Sequence, residues 1–124
     1  MQKINQQTND VDEITKIIFD NYVEGGIQGN SKIMIPAFHK NASIHGYFDH
    51  NLLAGPIKVL FDWIDTNPPT TKLKARISNI DLAKTIATAR VELSNWSGKN
   101  FTDQYRLFKE NGKWLIVSKV FHQN

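Results

Sequence analysis

What most constrains the fold of this chain is its C-terminal stretch, FTDQYRLFKENGKWLIVSKVFH (residues 101–122). It predicts two strands joined at Asn111-Gly112, because both residues tolerate the positive φ that a two-residue type I′ turn requires. The turn fixes the register of the two strands. The facing pairs are then Lys109 with Trp114, Leu107 with Ile116, Tyr105 with Ser118, and Phe101 with His122.

In this register one face of the hairpin is mostly apolar but carries a carboxylate, a phenol and an imidazole near one end. Such a mixture suits the wall of a pocket. The face comprises Phe101, Asp103, Tyr105, Leu107, Trp114, Ile116, Val120 and His122. The opposite face would carry Gln104, Arg106 and Lys119, facing solvent or a second subunit. A β-bulge within the hairpin would exchange the two faces.

Asp103, His122 and Tyr105 are the candidate catalytic residues of this face. Asp103 and His122 would be diagonal neighbours, and a carboxylate orients an imidazole for work as a general base. Tyr105 would donate a hydrogen bond to a developing oxyanion. The alternative is structural: Asp103 pairs with a cation near a sheet end, and His122 frays at the terminus.

The N-terminal half predicts three helices and one strand. Asp10 and Glu13 form a candidate capping box, with residues 1–9 as a frayed tail. A helix follows and is stopped by glycines; its apolar positions are Val11, Ile14, Ile17, Ile18 and Tyr22, and the glycines are Gly25, Gly26 and Gly29.

The next elements are shorter. Ser31 caps a brief helix made irregular by Pro36, and residues 42–48 form a strand followed by a loop. Gly55-Pro56 opens the third helix, whose buried side is Ile57, Leu60, Phe61 and Ile64.

Four strands follow, at about residues 72–82, 85–95, 101–109 and 113–122, with short connections that predict an antiparallel meander. Helices followed by a long antiparallel sheet indicate an α+β fold, in which a curved sheet wraps on three N-terminal helices. If Ala87 and Ala89 face inward with Val91 and Leu93, they leave space for a cavity. We expect one domain spanning 1–124, since the chain has 124 residues and no linker.

The chain resembles members of the nuclear transport factor 2-like superfamily, and more narrowly the group named "putative lumazine-binding", close to SnoaL-like proteins. The resemblance is carried by Tyr22 with its glycines, by AFHKNASIHG from Ala37 to Gly46, and by the ending DQYRLFKENGKWLIVSKVFH. It implies a cone-shaped, cystatin-like fold. The superfamily includes isomerases, dehydratases, cyclases and binding or dimerisation modules, so it implies no single activity.

Several aromatic and polar side chains are candidates for lining the pocket, because aromatic rings suit a planar or apolar ligand. These candidate ligand-binding residues are Tyr22, Phe38, His45, Tyr47, Trp63 and Trp96. His39, His45 and His50 match no metal-ligand spacing, so we predict no metal site. No phosphate-binding glycine loop or nucleophile elbow occurs, and we predict no cofactor.

Composition and charge limit the kinds of partner that this chain is expected to bind. The chain has no cysteine and a net charge of +3, and the basic residues Lys72, Lys74 and Arg76 are too sparse for a nucleic-acid stripe. No apolar run is long enough to span a bilayer, and the polar N-terminus lacks a secretory core, so we expect a cytoplasmic protein. A homodimer is expected through the outer sheet face, where Phe108, Leu115, Val117 and Phe121 would lie.

Three functions remain open at this point. A small-molecule-binding protein with a pocket between sheet and helices is the favoured interpretation. The second is a cofactor-independent isomerase, dehydratase or cyclase with Asp103 or His122 as base. The third is a non-catalytic dimerisation module.

Overall fold

The computed structural model describes residues 2–124, with side chains from residue 6 onward. Helix α1 (Gln2–Lys16) runs directly into a π-helical segment (Ile17–Val23) and then into α2 (Glu24–Gln28). A short α3 (Ser31–Met34) and a 3₁₀ turn (Ile35–Ala37) follow, and α4 (Lys58–Thr66) comes later in the chain. No helix in this described part is long and apolar enough to cross a membrane.

A six-stranded sheet covers these helices. Its strands are β1 (Phe38–Phe48), β2 (Asn51–Pro56), β3 (Lys74–Ala83), β4 (Ile86–Trp96), β5 (Lys99–Glu110) and β6 (Lys113–Gln123). The spatial order is β2-β1-β6-β5-β4-β3, with β1 parallel to β6 and the other pairs antiparallel. The predicted α+β architecture, with a curved open sheet and N-terminal helices, is confirmed.

The β1–β2 hairpin was missed by the sequence interpretation, which predicted a loop after Phe48. Asp49 and His50 both adopt positive φ, at 48° and 69°, and form a tight turn. Strand β2 then extends to Pro56, so α4 begins at Lys58 instead of at Gly55-Pro56. Gly55 sits at φ 142°, a conformation that glycine tolerates at the strand end.

A β-bulge in the C-terminal hairpin overturns half of its predicted register. Leu107 pairs with Ile116 as expected, but Arg106 pairs with Ser118, which leaves Val117 as the extra residue. Beyond the bulge, Tyr105 faces Lys119 and Thr102 faces His122. Each side chain after Val117 therefore points to the face opposite to the predicted one.

The bulge changes which residues are buried. Lys119 and Phe121 lie inside, whereas Val120 and His122 are exposed. The prediction that Lys119 faces outward and that His122 joins Asp103 is therefore wrong. The prediction that Phe121 lies on the outer sheet face is also wrong, and Val120 lies on that face instead.

Two of the three glycines predicted to end the first helix lie inside it instead. A Cβ on Gly25 would come within 2.8 Å of the Met34 Cβ, and one on Gly26 within 3.1 Å of the Trp96 ring. These positions thus allow close packing of neighbouring elements. Gly29, at φ 64°, is the residue that ends α2 as predicted.

The predicted capping box is also wrong, because α1 already includes Asp10 and Glu13. Asp10 Oδ1 accepts hydrogen bonds from the Trp114 indole (2.9 Å) and from Lys109 (2.8 Å), and Glu13 accepts one from the Trp114 backbone N–H (2.9 Å). The two carboxylates fasten α1 to the C-terminal hairpin. Fraying of residues 1–9 stays a prediction.

The short α3 has a different cap from the predicted one. The Asn30 side chain accepts from the Lys32 backbone N–H, while Ser31 donates from its backbone and its hydroxyl to the two oxygens of Asp65. Ser31 therefore ties α3 to α4.

The core lies between the concave face of the sheet and the helices. Four inward positions of β4 are buried, with Ala87, Ala89, Val91 and Leu93 at most 5% exposed. The cavity in this core lies at the Leu93 and Trp96 end of β4. Ala87 and Ala89 do not line it, so the prediction that these alanines leave its space is wrong.

Candidate functional site

A cavity of about 230 Å³ opens between the concave face of the sheet, the π-helical segment and α4. Its walls are mostly aromatic and aliphatic, contributed by β1, β2, β4, β5, β6 and α4. The lining residues are Tyr22, Ile44, Phe48, Asn51, Leu52, Leu53, Leu60, Trp63, Leu93, Trp96, Phe101, Asp103, Lys119 and Phe121. We call this cavity the inner pocket.

The polar end of the inner pocket is organised around Asp103. Its Oδ2 accepts a hydrogen bond from the Tyr22 hydroxyl at 2.9 Å and one from the Tyr105 hydroxyl at 2.6 Å. Lys119 Nζ lies 3.4 Å from the same oxygen. We call these four residues the Asp103 cluster.

The second carboxylate oxygen of Asp103 is different. Asp103 is 0% exposed, and its Oδ1 is buried without a hydrogen-bond partner among the described residues. An unsatisfied buried acceptor costs about 1–3 kcal/mol, so native proteins rarely keep one without a reason. Asp103 is also among the residues that line the inner pocket.

The two phenols act as hydrogen-bond donors. Burial, reinforced by the negative charge of Asp103, raises the pKa of Tyr22 well above its ordinary value. The same two causes raise the pKa of Tyr105. Both hydroxyls therefore keep their protons at neutral pH and point them at the carboxylate.

Lys119 is a buried cation, only 4% exposed. Its Nζ lies 4.5 Å from the centre of the Phe121 ring and 5.5 Å from that of Tyr22, within the range of cation–π attraction. Burial lowers the pKa of Lys119, and the charge of Asp103 opposes this effect only partly. The Lys119 amine thus gives up its proton more readily than an exposed lysine does.

The π-helical segment places Tyr22 at the pocket. The wider turn between Ile17 and Val23 sets Tyr22 edge-on to Tyr105, with ring centres 5.6 Å apart, and tilted against Trp96 at 5.8 Å. Insertions of this kind within α-helices frequently occur at functional sites. No feature of the sequence alone indicated it.

Of the predicted ligand-binding residues, Tyr22, Trp63 and Trp96 line the inner pocket. Phe38 is buried behind the wall, edge-on to Tyr22. His45 and Tyr47 point away from the pocket, with Tyr47 61% exposed, so their predicted place in it is wrong.

Of the predicted catalytic residues, Asp103 and Tyr105 are buried on the same face as predicted, and His122 is exposed on the outer face. The Tyr105 hydroxyl donates to Asp103, so its predicted role as a donor to a substrate oxyanion stays a prediction. Lys119 replaces His122 at the site. The sequence did hold a signal for this exchange: Ile116 and Phe121 are both large and apolar but an odd number of residues apart. A regular strand cannot bury both on one face, and a bulge between them can.

The histidines do not assemble into a metal site. His39 lies in β1 and approaches Glu110 at 3.6 Å, while His50 sits in the β1–β2 turn. In the part of the chain that the structure describes, no group of three or more His, Cys, Asp or Glu side chains is placed to hold a metal ion.

The fold and the inner pocket define an α+β cone of the nuclear transport factor 2-like class. Within that class, the family model described as "Putative lumazine-binding" matches residues 9–122. The chain belongs to this family.

Individual relatives agree with this assignment. An NTF2-like protein of unknown function from Methylobacillus flagellatus KT is 43% identical, with a TM-score of 0.88 over 94% of this chain and 93% of that one. A cystatin-like domain from Nostoc punctiforme PCC 73102 is 15% identical, with a TM-score of 0.76 over 94% of this chain and 78% of that one, and shows the fold alone.

One relative carries the name of an enzyme. A protein from Cladobotryum sp. named "Aldolase FrzH" is 38% identical over 102 residues, which is 82% of each chain.

Proposed function

We propose that this protein binds a small aldehyde or ketone in the inner pocket and removes a proton from the carbon beside the carbonyl group, without a cofactor. Such a step starts an aldol-type reaction. The observation that supports it is Asp103, whose buried Oδ1 has no hydrogen-bond partner among the described residues, while its Oδ2 accepts from two phenols and pairs with the Lys119 ammonium.

The geometry suits a general base. A base must reach the proton that it abstracts, and Oδ1 belongs to a residue that lines the pocket. The Asp103 cluster holds the carboxylate in one orientation, which preorganises it for that contact. The aldolase-named relative supports chemistry at a carbonyl compound.

The apolar walls suit the body of such a substrate. The ring centres of Trp63 and Trp96 lie 6.4 Å apart, and Phe48 stacks on Phe101 with ring centres 5.8 Å apart. A ligand with an aromatic or aliphatic body would pack against these walls and place its carbonyl group at the polar end of the pocket. His122 takes no part in this proposal, because it lies outside the pocket.

A second candidate function is ligand binding without catalysis. The cluster supports it because two phenols and the Lys119 ammonium hold Oδ2 in place and leave Oδ1 as an acceptor with no partner among the described residues. A ligand N–H or O–H would then bind to Oδ1, and no bond would break.

Deuterium exchange distinguishes the two candidates. Incubation with 4-phenyl-2-butanone in D₂O, followed by proton NMR, should show loss of the signals beside the carbonyl faster than in buffer. Asp103→Asn should abolish the acceleration, whereas Asp62→Asn, at an exposed surface pair, should keep it.

Circular dichroism establishes that each variant is folded. Tyr22→Phe is a second test variant: it removes one hydrogen-bond donor to Asp103 and should slow exchange. Binding measured by calorimetry without accelerated exchange would overturn catalysis in favour of binding. Neither binding nor exchange with a panel of aldehydes and ketones would overturn both.

A further inference from the structure

Lys119 only helps to orient Asp103 in the proton transfer proposed above, yet it lines the inner pocket at the same end as Asp103. Replacing a buried ion pair by apolar residues is often neutral or stabilising, so a lysine here is not explained by stability alone. Its position among Phe121, Tyr22 and Asp103 has the features of a reactive amine: burial, an apolar wall and a proton acceptor within reach.

Resting on the proposed function, we propose that Lys119 forms a covalent imine with the carbonyl carbon of the substrate, and that Asp103 carries the protons for this step. The substrate class is thereby narrowed to aldehydes and ketones. Amides and carboxylates are excluded as substrates, because their carbonyl groups do not condense with an amine to form an imine in water near neutral pH.

The step balances without any further reagent. The Lys119 ammonium gives one proton to Asp103, and the nitrogen lone pair then forms a bond to the carbonyl carbon while the C=O π electrons move to oxygen. That oxygen takes the second ammonium proton, giving a neutral carbinolamine. Asp103 returns its proton to the hydroxyl group, which leaves as water as the nitrogen lone pair closes the C=N bond. An ammonium and a carbonyl compound thus become an iminium ion and water, and the charge is unchanged.

The iminium ion makes the next proton easier to remove. Its positive nitrogen draws electrons from the neighbouring C–H bond, and the regenerated Asp103 carboxylate takes that proton to give an enamine. The distance of 3.4 Å between Lys119 Nζ and Asp103 Oδ2 places both groups beside one reacting centre. The lowered pKa of Lys119 agrees with this use, since it raises the fraction of neutral amine near neutral pH.

Reductive trapping tests the imine. The protein is incubated with 4-phenyl-2-butanone and sodium cyanoborohydride, and its intact and peptide masses are measured. The expected product is one adduct with the mass of the ketone less one oxygen atom, on the peptide that contains Lys119. Labelling should be faster there than at the partly exposed Lys99, because Lys119 lines the inner pocket with its Nζ beside Asp103, and burial lowers its pKa.

The variants sharpen the result. Lys119→Met should lose the adduct. If this single variant fails to fold, the double variant Asp103→Asn/Lys119→Met takes its place, because it removes both members of the buried ion pair. Lys99→Arg, at a partly exposed pair with Asp49, should keep the adduct.

Two results would overturn the imine. One is labelling spread evenly over surface lysines. The other is no adduct at Lys119 while exchange beside the carbonyl persists, which would leave the proposed proton transfer standing. Loss of both exchange and trapping would count against the proposed function itself.

Discussion

Asp103 and Lys119 are the residues on which the site depends, and each stabilises the other. Both are almost fully buried, so each charge would be costly without its partner. Tyr22 and Tyr105 add hydrogen bonds to the carboxylate but none that the structure shows to the ammonium. Lys119 therefore depends on Asp103 more than Asp103 depends on Lys119.

A double-mutant cycle should show this coupling. Asp103→Asn and Lys119→Met should each lower the free energy of unfolding, by up to about 3–5 kcal/mol, because each leaves one buried charge without its partner. The double variant should lose less than the sum, by about 0.5–3 kcal/mol. Urea unfolding monitored by circular dichroism measures all four proteins, and strict additivity would contradict the pairing.

Among individual residues of the site, sequence analysis missed Lys119. It did identify five others as candidate site residues: Asp103, Tyr105, Tyr22, Trp63 and Trp96. These five lie on regular periodicity or are aromatic residues that a cavity must use. Lys119 depends on a single extra residue, Val117, in a strand that otherwise alternates. A lysine between Ser118 and Val120 looks solvent-facing until the burial of Phe121 is taken into account.

Among the elements, the contact between β1 and β6 shapes the inner pocket. Gly46 of β1 lies opposite Phe121 of β6, and an added Cβ would come within 2.4 Å of the Phe121 ring. The ring also touches Lys119. Gly46 thus sets the position of one pocket wall through its lack of a side chain.

Gly46→Ala should displace the Phe121 ring and change the pocket. We expect the free energy of unfolding to fall by about 1–3 kcal/mol, as for other overpacked sites, and ketone binding to weaken. Calorimetry and urea unfolding measure the two effects. His45→Ala, one residue away on the exposed face of β1, is the matched control and should change neither. Unaltered binding in Gly46→Ala would contradict this role of the ring.

The attachment of α1 to the hairpin should make stability depend on pH. Burial raises the pKa of Asp10, but hydrogen bonds from Lys109, Trp114 and Gln6 outweigh burial and lower the pKa below its ordinary value. The stability from this carboxylate is therefore present above its unfolded pKa of about 3.9 and is lost as pH falls through the lower folded value.

Asp10→Asn should remove this dependence. At neutral pH the variant should lose about 1–3 kcal/mol of unfolding free energy. Its stability should then fall less steeply than that of the wild type as pH drops below about 4. Urea unfolding across this pH range provides the test. Asp62→Asn, at an exposed ion pair, should stay within about 1 kcal/mol of the wild type. A parallel pH profile in Asp10→Asn and wild type would contradict the attachment.

The elements were predicted unevenly from sequence. Strands β3–β6 have long alternating patterns and short turns, and their positions were correct to within a few residues. Strand β2 is short, carries a glycine and a proline, and pairs only with β1, so its pattern is too weak to read. The first helix was cut short at Gly25 because the close approach of Met34 and Trp96 cannot be seen along the chain.

For the whole molecule, the outer sheet face is the remaining large feature. Ile86, Phe108 and Val120 are 56%, 39% and 48% exposed there, and a sheet face with this much apolar surface favours association. We propose that two copies of the chain pair through this face as a closed dimer. The inner pocket opens on the other side of the sheet and would stay accessible.

Light scattering after size-exclusion chromatography tests the dimer. The wild type should have twice the monomer mass at micromolar concentration, and Val120→Lys should be monomeric because it places a charge in the apolar face. Ile35→Lys, equally exposed but in the 3₁₀ turn away from the sheet, should remain dimeric. A monomeric wild type would contradict the proposal.

Backbone amide NMR with 4-phenyl-2-butanone as the titrant tests the central claim, that the inner pocket is the functional surface, most directly. Shifts should cluster around the polar end and the tryptophan wall, at Tyr22, Leu93, Trp96, Asp103 and Lys119. The outer face, including Ile86 and Phe108, should show none. Shifts confined to the outer face, or no shifts with any aldehyde or ketone tested, would contradict the account.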